Sequence, residues 1–309
     1  MIGGTTLDFI INKKPETEAK KIELKEKDLI INIGGGGSNA AFILNKLGTK
    51  AYLLTKFGDD WISKIFENYF EKEKIHLIKT KKEKKSAISF IFEFGDRVIY
   101  TYRGVLNNIR KEDISERIPR FDWLYITSNK GETINLIKEI FKESKKEGKK
   151  VFINPSLYSV NALKEEIELC DLLILNKEEA KELTKNKDIK KMLKKLNKNR
   201  IGIITDGKNG VFFYKNNDFF HLKVDKLVKM LKAKVIDTTG AGDCFSATFF
   251  HFFVNKNYSL EESLILASIN SIFLIQKFGT KHSLSEKNLV KYLKIIKENR
   301  IDKKLIEPI

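Results

Sequence analysis

Val235-Ile236-Asp237-Thr238-Thr239-Gly240-Ala241-Gly242-Asp243-Cys244-Phe245 is the stretch that decides how this 309-residue chain is read. An apolar approach ends in Asp-Thr-Thr, two glycines flank Ala241, and an acid and a phenylalanine-rich run follow. The pattern predicts a loop that tightens into a helix N-terminus. Gly240 and Gly242 permit backbone conformations that a side chain forbids, and they let a ligand come close. The first turn of a helix carries unpaired N–H groups at the positive end of the helix dipole. Together these make an anion site suited to a phosphate. Asp243 is the odd member, because a carboxylate repels an anion. It makes sense as a base that takes a proton from an incoming hydroxyl and so turns it into a nucleophile toward phosphorus. For Gly-Ala-Gly-Asp alone, a capped helix start without a ligand is the plainer alternative.

Outward from this stretch, the composition sets bounds. At 42% hydrophobic, the chain can build a large core. It has no run of 18 or more apolar residues, so no membrane partner is expected. Met1 to Thr6 lacks a basic region followed by an apolar run, so no signal peptide is expected. Cys170 and Cys244 are far apart and lack metal-ligand spacing, which suits two buried thiols in a reducing cytoplasm. Cys244, beside Asp243 at a helix start, is either activated or merely small. The net charge of +17 invites a nucleic-acid reading. It is discounted, because the excess is almost all lysine interleaved with glutamate, and base readout favours arginine.

Other segments carry recognisable patterns. Gly34-Gly35-Gly36-Gly37-Ser38-Asn39 opens an apolar-periodic helix but fails the dinucleotide pattern, because Asn39 or Ala40 stands where a third glycine is required. Ile22 to Ile33 alternates as one or two strands. Ser86 to Phe94 and Val98 to Tyr102 meet at Gly95-Asp96-Arg97 as a hairpin, with Arg103 just after it. From Phe121 onward, short apolar runs alternate with helical segments, as in a mostly parallel sheet covered by helices. Ligands bind at the C-terminal ends of such strands. Asn154, Asn176 and Thr205 stand at those ends. Asp59 and Asp60 read as helix caps before Trp61.

Asp237-Thr238-Thr239-Gly240-Ala241-Gly242-Asp243 resembles the C-terminal signature of the ribokinase-like carbohydrate kinases, the PfkB family. Gly3-Gly4 with Asp8, the glycine run, and Asn176-Lys177-Glu178-Glu179 match further motifs of that family in order. The resemblance spans nearly the whole chain. It implies one α/β kinase domain over 1–309, a mostly parallel central sheet flanked by helices, and a small β-sheet lid with strands at about 10–33 and 85–104. It implies an ATP-dependent phosphotransferase acting on a hydroxyl of a small sugar, with a nucleoside as the alternative acceptor. In that reading Asp243 is the base, and the amides of Gly240, Ala241 and Gly242 form the anion hole. Asp8, at the end of the first core strand, would hold the acceptor with Gly35, Gly36 and Asn39; Arg103 reaches it or lies at the surface. Asn176, Thr205, Gly207 and Gly210 would meet the nucleotide. Asn176 and Glu179 would organise Mg2+ through water. Asp237, Thr239, Leu274, Gly279 and Ser283 match positions that hold a monovalent cation such as K+ in relatives. A homodimer through the lid is also implied. Two departures stand out: only Met1 and Ile2 precede Gly3, where the family has a fuller strand, and Thr248 replaces a Gly or Ala.

Overall fold

The computed structural model describes residues 1–13, 22–94, 96–197 and 201–309. Its strands are β1 (Thr6–Ile11), β2 (Leu29–Gly34), β3 (Tyr52–Leu54), β4 (His76–Ile78), β5 (Ile88–Phe94), β6 (Asp96–Tyr102), β7 (Trp123–Ile126), β8 (Lys150–Ile153), β9 (Leu172–Asn176), β10 (Ile201–Thr205), β11 (Val211–Lys215), β12 (Asp218–Leu222) and β13 (Ile306–Pro308). The helices are α1 (Gly36–Lys46), α2 (Trp61–Lys72), α3 (Thr133–Lys146), α4 (Lys164–Leu169), α5 (Lys177–Thr184), α6 (Ile189–Leu196), α7 (Val224–Met230), α8 (Ala241–Phe250), α9 (Leu260–Leu274), α10 (Glu286–Glu298) and α11 (Asp302–Leu305).

The large sheet runs β13-β12-β11-β10-β9-β8-β7. From β7 to β10 its strands are parallel, and from β10 to β13 antiparallel. Strands β8 and β9 are buried along almost their whole length, as apolar runs in a two-faced parallel sheet should be. One residue carries the sheet onward. Ile2 bridges Leu54 of β3 on one side and Ile126 of β7 on the other, both parallel. Its amide donates to Tyr125 O at 2.8 Å, and Thr127 N donates to Ile2 O at 3.0 Å. The first core strand is therefore the single bridge at Ile2.

Asp8 does not end that strand. It lies inside β1, which belongs to a separate four-stranded sheet ordered β2-β1-β5-β6. The shift follows from Gly3 and Gly4. A methyl at Gly3 would stand 2.5 Å from Gly37 Cα, so the chain leaves the core there in contact with the start of α1. The second sheet thus starts at Thr6 rather than near residue 10. Ile22 and Leu24 fall outside its strands, and residues 14–21 and the hairpin residue Gly95 lie outside the described residues.

Register sorts the faces of this sheet. Asn32, Asp8, Ser89 and Thr101 are paired in one row and share a face. Ile31, Phe9, Phe90 and Tyr100 form the next row, on the opposite face. That second face is exposed: Ile31 is 57% and Tyr100 64% accessible.

Helix α8 is buried along its length after Asp243 and packs mainly on α9 and α1. Thr248 is accommodated because Asn270 of α9 donates to its hydroxyl at 2.8 Å, so that buried hydroxyl is not left unpaired. Asp60 caps α2 by accepting from Ser63 N at 3.2 Å. Among the described residues, no helix is long and apolar enough to cross a membrane.

Candidate active site

Asp243 stands in the first turn of α8. Gly240, the residue before the helix, has φ +73°, a left-handed conformation that glycine adopts without strain. Thr238 O accepts from Ala241 N at 3.3 Å, and Gly240 O accepts from Cys244 N at 2.9 Å. Between them lie the amides of Gly242 and Asp243, first-turn donors of the kind that lack an intrahelical acceptor. A methyl at Gly242 would meet nothing within 4 Å, so space opens in front of this turn. Burial pushes the Cys244 thiol up to about 12, which makes it inert packing rather than a reactive group.

Asp243 as a residue is half-buried, and its carboxylate lies inward. Loss of hydration raises its pKa, and the Asn39 hydrogen bond and the charge of Lys281 oppose that rise. Asn39 Nδ2 donates to Asp243 Oδ2 at 2.8 Å. Lys281 Nζ donates to Asn39 Oδ1 at 2.7 Å and to Ser38 Oγ at 3.0 Å. An ammonium only donates, so Asn39 must turn its oxygen to Lys281 and its NH2 to Asp243. Asp243 Oδ1 faces the other way. A methyl at Gly36 would stand 3.2 Å from it and 3.4 Å from Thr127 Oγ1. Gly35, at φ +91°, lets α1 begin against the Gly4 carbonyl.

Asp8 is buried beside this pocket; a methyl at Gly34 would overlap its Oδ2 at 1.8 Å. Thr6 Oγ1 donates to Asp8 Oδ1 at 2.6 Å. The charges of Asp8 and Asp243 favour the protonated amine of Lys281, but burial outweighs them and brings it down to about 7. Lys281 and Thr127 were missed in the sequence. A lysine among many lysines carries no local signal, and Thr127 shows only as the residue after a strand. Tyr125 was missed too; burial and the Asp243 charge push its hydroxyl well above the ordinary tyrosine value.

The second group of candidates lies at the ends of β9 and β10. Asn176 caps α5: its Oδ1 accepts from Glu179 N at 2.9 Å, and Glu179 Oε2 accepts from Asn176 N at 2.8 Å. This reciprocal capping box gives the Asn-x-x-Glu spacing a structural use of its own. Glu179 is buried, and burial with the nearby Asp243 charge lifts its carboxyl to about 7. Thr205 pairs in register with Asn176. Gly207 has open space around it, whereas a methyl at Gly210 would meet Leu222 O at 2.2 Å, so Gly210 serves packing against β12. Helix α7, with Lys226 and Lys229, packs beside the turn Gly207–Asn209.

The remaining candidates gather around Asp237, which is buried and accepts from Thr239 N at 2.7 Å and Gly279 N at 2.8 Å. Ser283 instead bonds Asn270 and the Leu284 carbonyl, and Leu274 is buried in α9. Arg103 is not a surface residue. Its Nε donates to Asn107 Oδ1 at 2.8 Å, and burial lowers its pKa.

Residues 1–287 match the pfkB family of carbohydrate kinases. The chain is 28% identical over 297 residues to a ribokinase of Lactococcus lactis, covering 94% of this chain and 95% of that protein. It is 28% identical over 298 residues to a nucleoside kinase of Methanocaldococcus jannaschii, covering 92% of each. Among solved structures, a ribokinase from Giardia lamblia superposes with TM-score 0.79 at 16% identity, over 94% of this chain and 98% of that one. The crystal structure of the Methanocaldococcus jannaschii nucleoside kinase gives TM-score 0.74 at 24% identity, over 95% of this chain and 97% of that one.

Proposed function

The chain belongs to the pfkB family of carbohydrate kinases, and on that premise we propose that it transfers the γ-phosphoryl group of ATP to a hydroxyl of a small sugar. The observation that carries this reading is the pairing of the Asp243 carboxylate, one oxygen of which faces Gly36, with a helix first turn. Asp243 Oδ2 is tied to Asn39, so Oδ1, beside Gly36, is the oxygen that receives the acceptor proton. The acceptor oxygen then bonds to the γ-phosphorus, the bond from that phosphorus to the bridging oxygen breaks, and ADP leaves with the electron pair. The amides of Gly242 and Asp243 stabilise the charge on the moving phosphoryl group, with the Gly240 turn shaping the approach; the expected Ala241 amide is already given to Thr238 O.

In the same reading Asp8, Gly35, Gly36 and Asn39 hold the acceptor, and Thr205, Gly207 and Asn176 meet the nucleotide. Bound Mg2+ supplies positive charge to the phosphates. Asn176 and Glu179 would hold it through water: burial, with the nearby Asp243 charge, raises the Glu179 carboxyl, and a bound cation would favour its ionised form. A monovalent cation beside Asp237, Thr239, Leu274, Gly279 and Ser283 is a further part of the proposal, and K+-dependent activity is its test.

A sugar is favoured over a nucleoside by the lid register. Phe9, Phe90 and Tyr100 lie on the face opposite Asp8, Ser89 and Thr101, so these rings are not available to stack on a base above Asp8. That outward face, with Leu29, Ile31, Phe90, Val98, Tyr100 and Tyr102 exposed, fits a second copy of the chain. Light scattering of the wild type and of Tyr100→Glu tests the dimer, which the charge should split. An ADP-release assay over pentoses, hexoses, sugar acids, phosphorylated sugars and nucleosides tests the activity. No ADP with any acceptor, in the presence of Mg2+ and K+, would overturn the kinase reading.

A further inference from the structure

Lys281 lies in the loop between α9 and α10, and its side chain reaches the start of α1. Thr280, the residue before it, fixes the loop. Its hydroxyl donates to Ile33 O of β2 at 3.2 Å, and a methyl at Gly240 would stand 2.9 Å from its Cγ2. The loop therefore touches the lid base and the helix start of Asp243 at once. Lys281 as a residue is half-buried, and its ammonium lies inward. The rings of Phe42 of α1 and Tyr69 of α2 each stand 5.9 Å from Nζ.

The fold leaves this ammonium with a donor to spare. Nζ carries three hydrogens. Asn39 Oδ1 and Ser38 Oγ take two, and among the described residues the third meets no acceptor. The charged groups that face it are Asp8 of β1, Asp243 of α8 and Glu73 at the end of α2; all three favour the protonated amine, against burial. A buried donor without an acceptor costs free energy until a bound molecule supplies one. Position narrows what that molecule offers. A single side chain, Asn39, joins Lys281 to Asp243, so Nζ lies within about 8 Å of Asp243 Oδ2, the length of two hydrogen bonds and an amide. A sugar with one hydroxyl at Asp243 has others to place in that span. Carboxylates only accept and an ammonium only donates. An anionic group here meets Asp8 and Asp243, and a cationic one meets Lys281. A neutral hydroxyl suits both, accepting from Lys281 while donating to a carboxylate.

We propose that Lys281 binds a second hydroxyl of the acceptor, close to the one that is phosphorylated, and so selects against analogues that lack it. This rests on the kinase reading and names a specificity-determining residue within it. The test compares D-ribose and D-fructose with their single-deoxy analogues in the ADP-release assay. Should neither sugar be phosphorylated, the best acceptor of the wider screen and its deoxy analogues take their place. In the wild type one deoxy position should lose about 10- to 100-fold in kcat/KM, the scale of a hydrogen bond to a charged group.

Lys281→Met should raise KM for the parent sugar by a similar factor and spare KM for that one analogue, while the penalties at other deoxy positions stay. Lys281→Gln, which keeps a neutral donor, should restore part of the difference, and it serves instead should Lys281→Met melt early. The wild-type KM should also rise as the pH passes about 7, where the amine gives up its proton, and Lys281→Arg should hold it level. A KM that moves equally on the parent and on every deoxy analogue in Lys281→Met would confine Lys281 to holding Asn39; that result, or a wild type indifferent to every deoxy position, overturns the inference and leaves the kinase reading standing. Absence of ADP with every acceptor overturns both.

Discussion

At Asn176–Glu179 two polar side chains satisfy each other within four residues, whereas Asp243 is held by Asn39, 204 positions away, and Asn39 in turn by Lys281. The first region is closed by local geometry: a helix start needs acceptors for its amides, and a capping box supplies them. The second exists only when the lid base, α1, α8 and the loop after α9 meet. A self-capped motif tolerates change in its surroundings. A pocket assembled from distant parts loses its chemistry when any one of them moves, even if the fold survives.

The contrast is sharpest at Asp243. Asp243→Asn should lower kcat by about 10^3-fold, within the range of a lost general base, and leave the melting temperature close to the wild type. Near-wild-type turnover in a steady-state assay would remove Asp243 as the base. On the self-capped side, Glu179→Gln should separate stability from activity. The folded-state pKa of Glu179, about 7, lies above its ordinary 4.5. Below that ordinary value both folded and unfolded states keep the proton, and the substitution changes little. Between the two values only the unfolded chain gives it up, so the wild type loses stability as pH rises. Above about pH 7 the full cost applies. Chemical denaturation of the Mg2+-free protein at pH 8 should therefore find the variant more stable by up to about 3 kcal/mol. At pH 4 the difference should vanish, and activity should fall. Equal stability at both pH values would refute the burial cost.

Lys281→Met should reduce kcat by roughly tenfold, the worth of one charge-assisted hydrogen bond. It should also move the acidic limb of the pH profile upward, because the Asp243 carboxyl loses a cation that lowers its pKa. Lys281→Arg should recover part of both, and a profile that stays in place would assign Lys281 to packing alone. The smallest effect is expected at Asn176→Ala, which removes a cap worth about 1 kcal/mol in denaturant titration. A loss several times larger would mean that Asn176 does more for the fold than cap α5.

The strand–helix alternation after Phe121, the lid hairpin, the glycine-opened α1 and the helix start at Asp243 were all legible, because each is a local pattern of period, turn residue or cap. The position of Asp8 was not. Gly3-Gly4 marks a close backbone approach, but whether the chain leaves the core there depends on Gly37, which packs against it. Arg103 read equally well as a surface residue, since burial of its guanidinium comes from a turn held by Lys85 and Thr133. Thr248 looked like a misfit until Asn270 of α9 supplied its partner.

The sequence by itself determined the α/β alternation, the helix start that suits a phosphate and the acid beside it, because backbone conformation and capping depend on near neighbours. Only the tertiary structure decided which oxygen of Asp243 meets Asn39, which way Asn39 turns, and that Lys281 joins them. Those are outcomes of charge and hydrogen-bond partners that arrive from remote parts of the chain, and nothing in a residue's immediate surroundings encodes them.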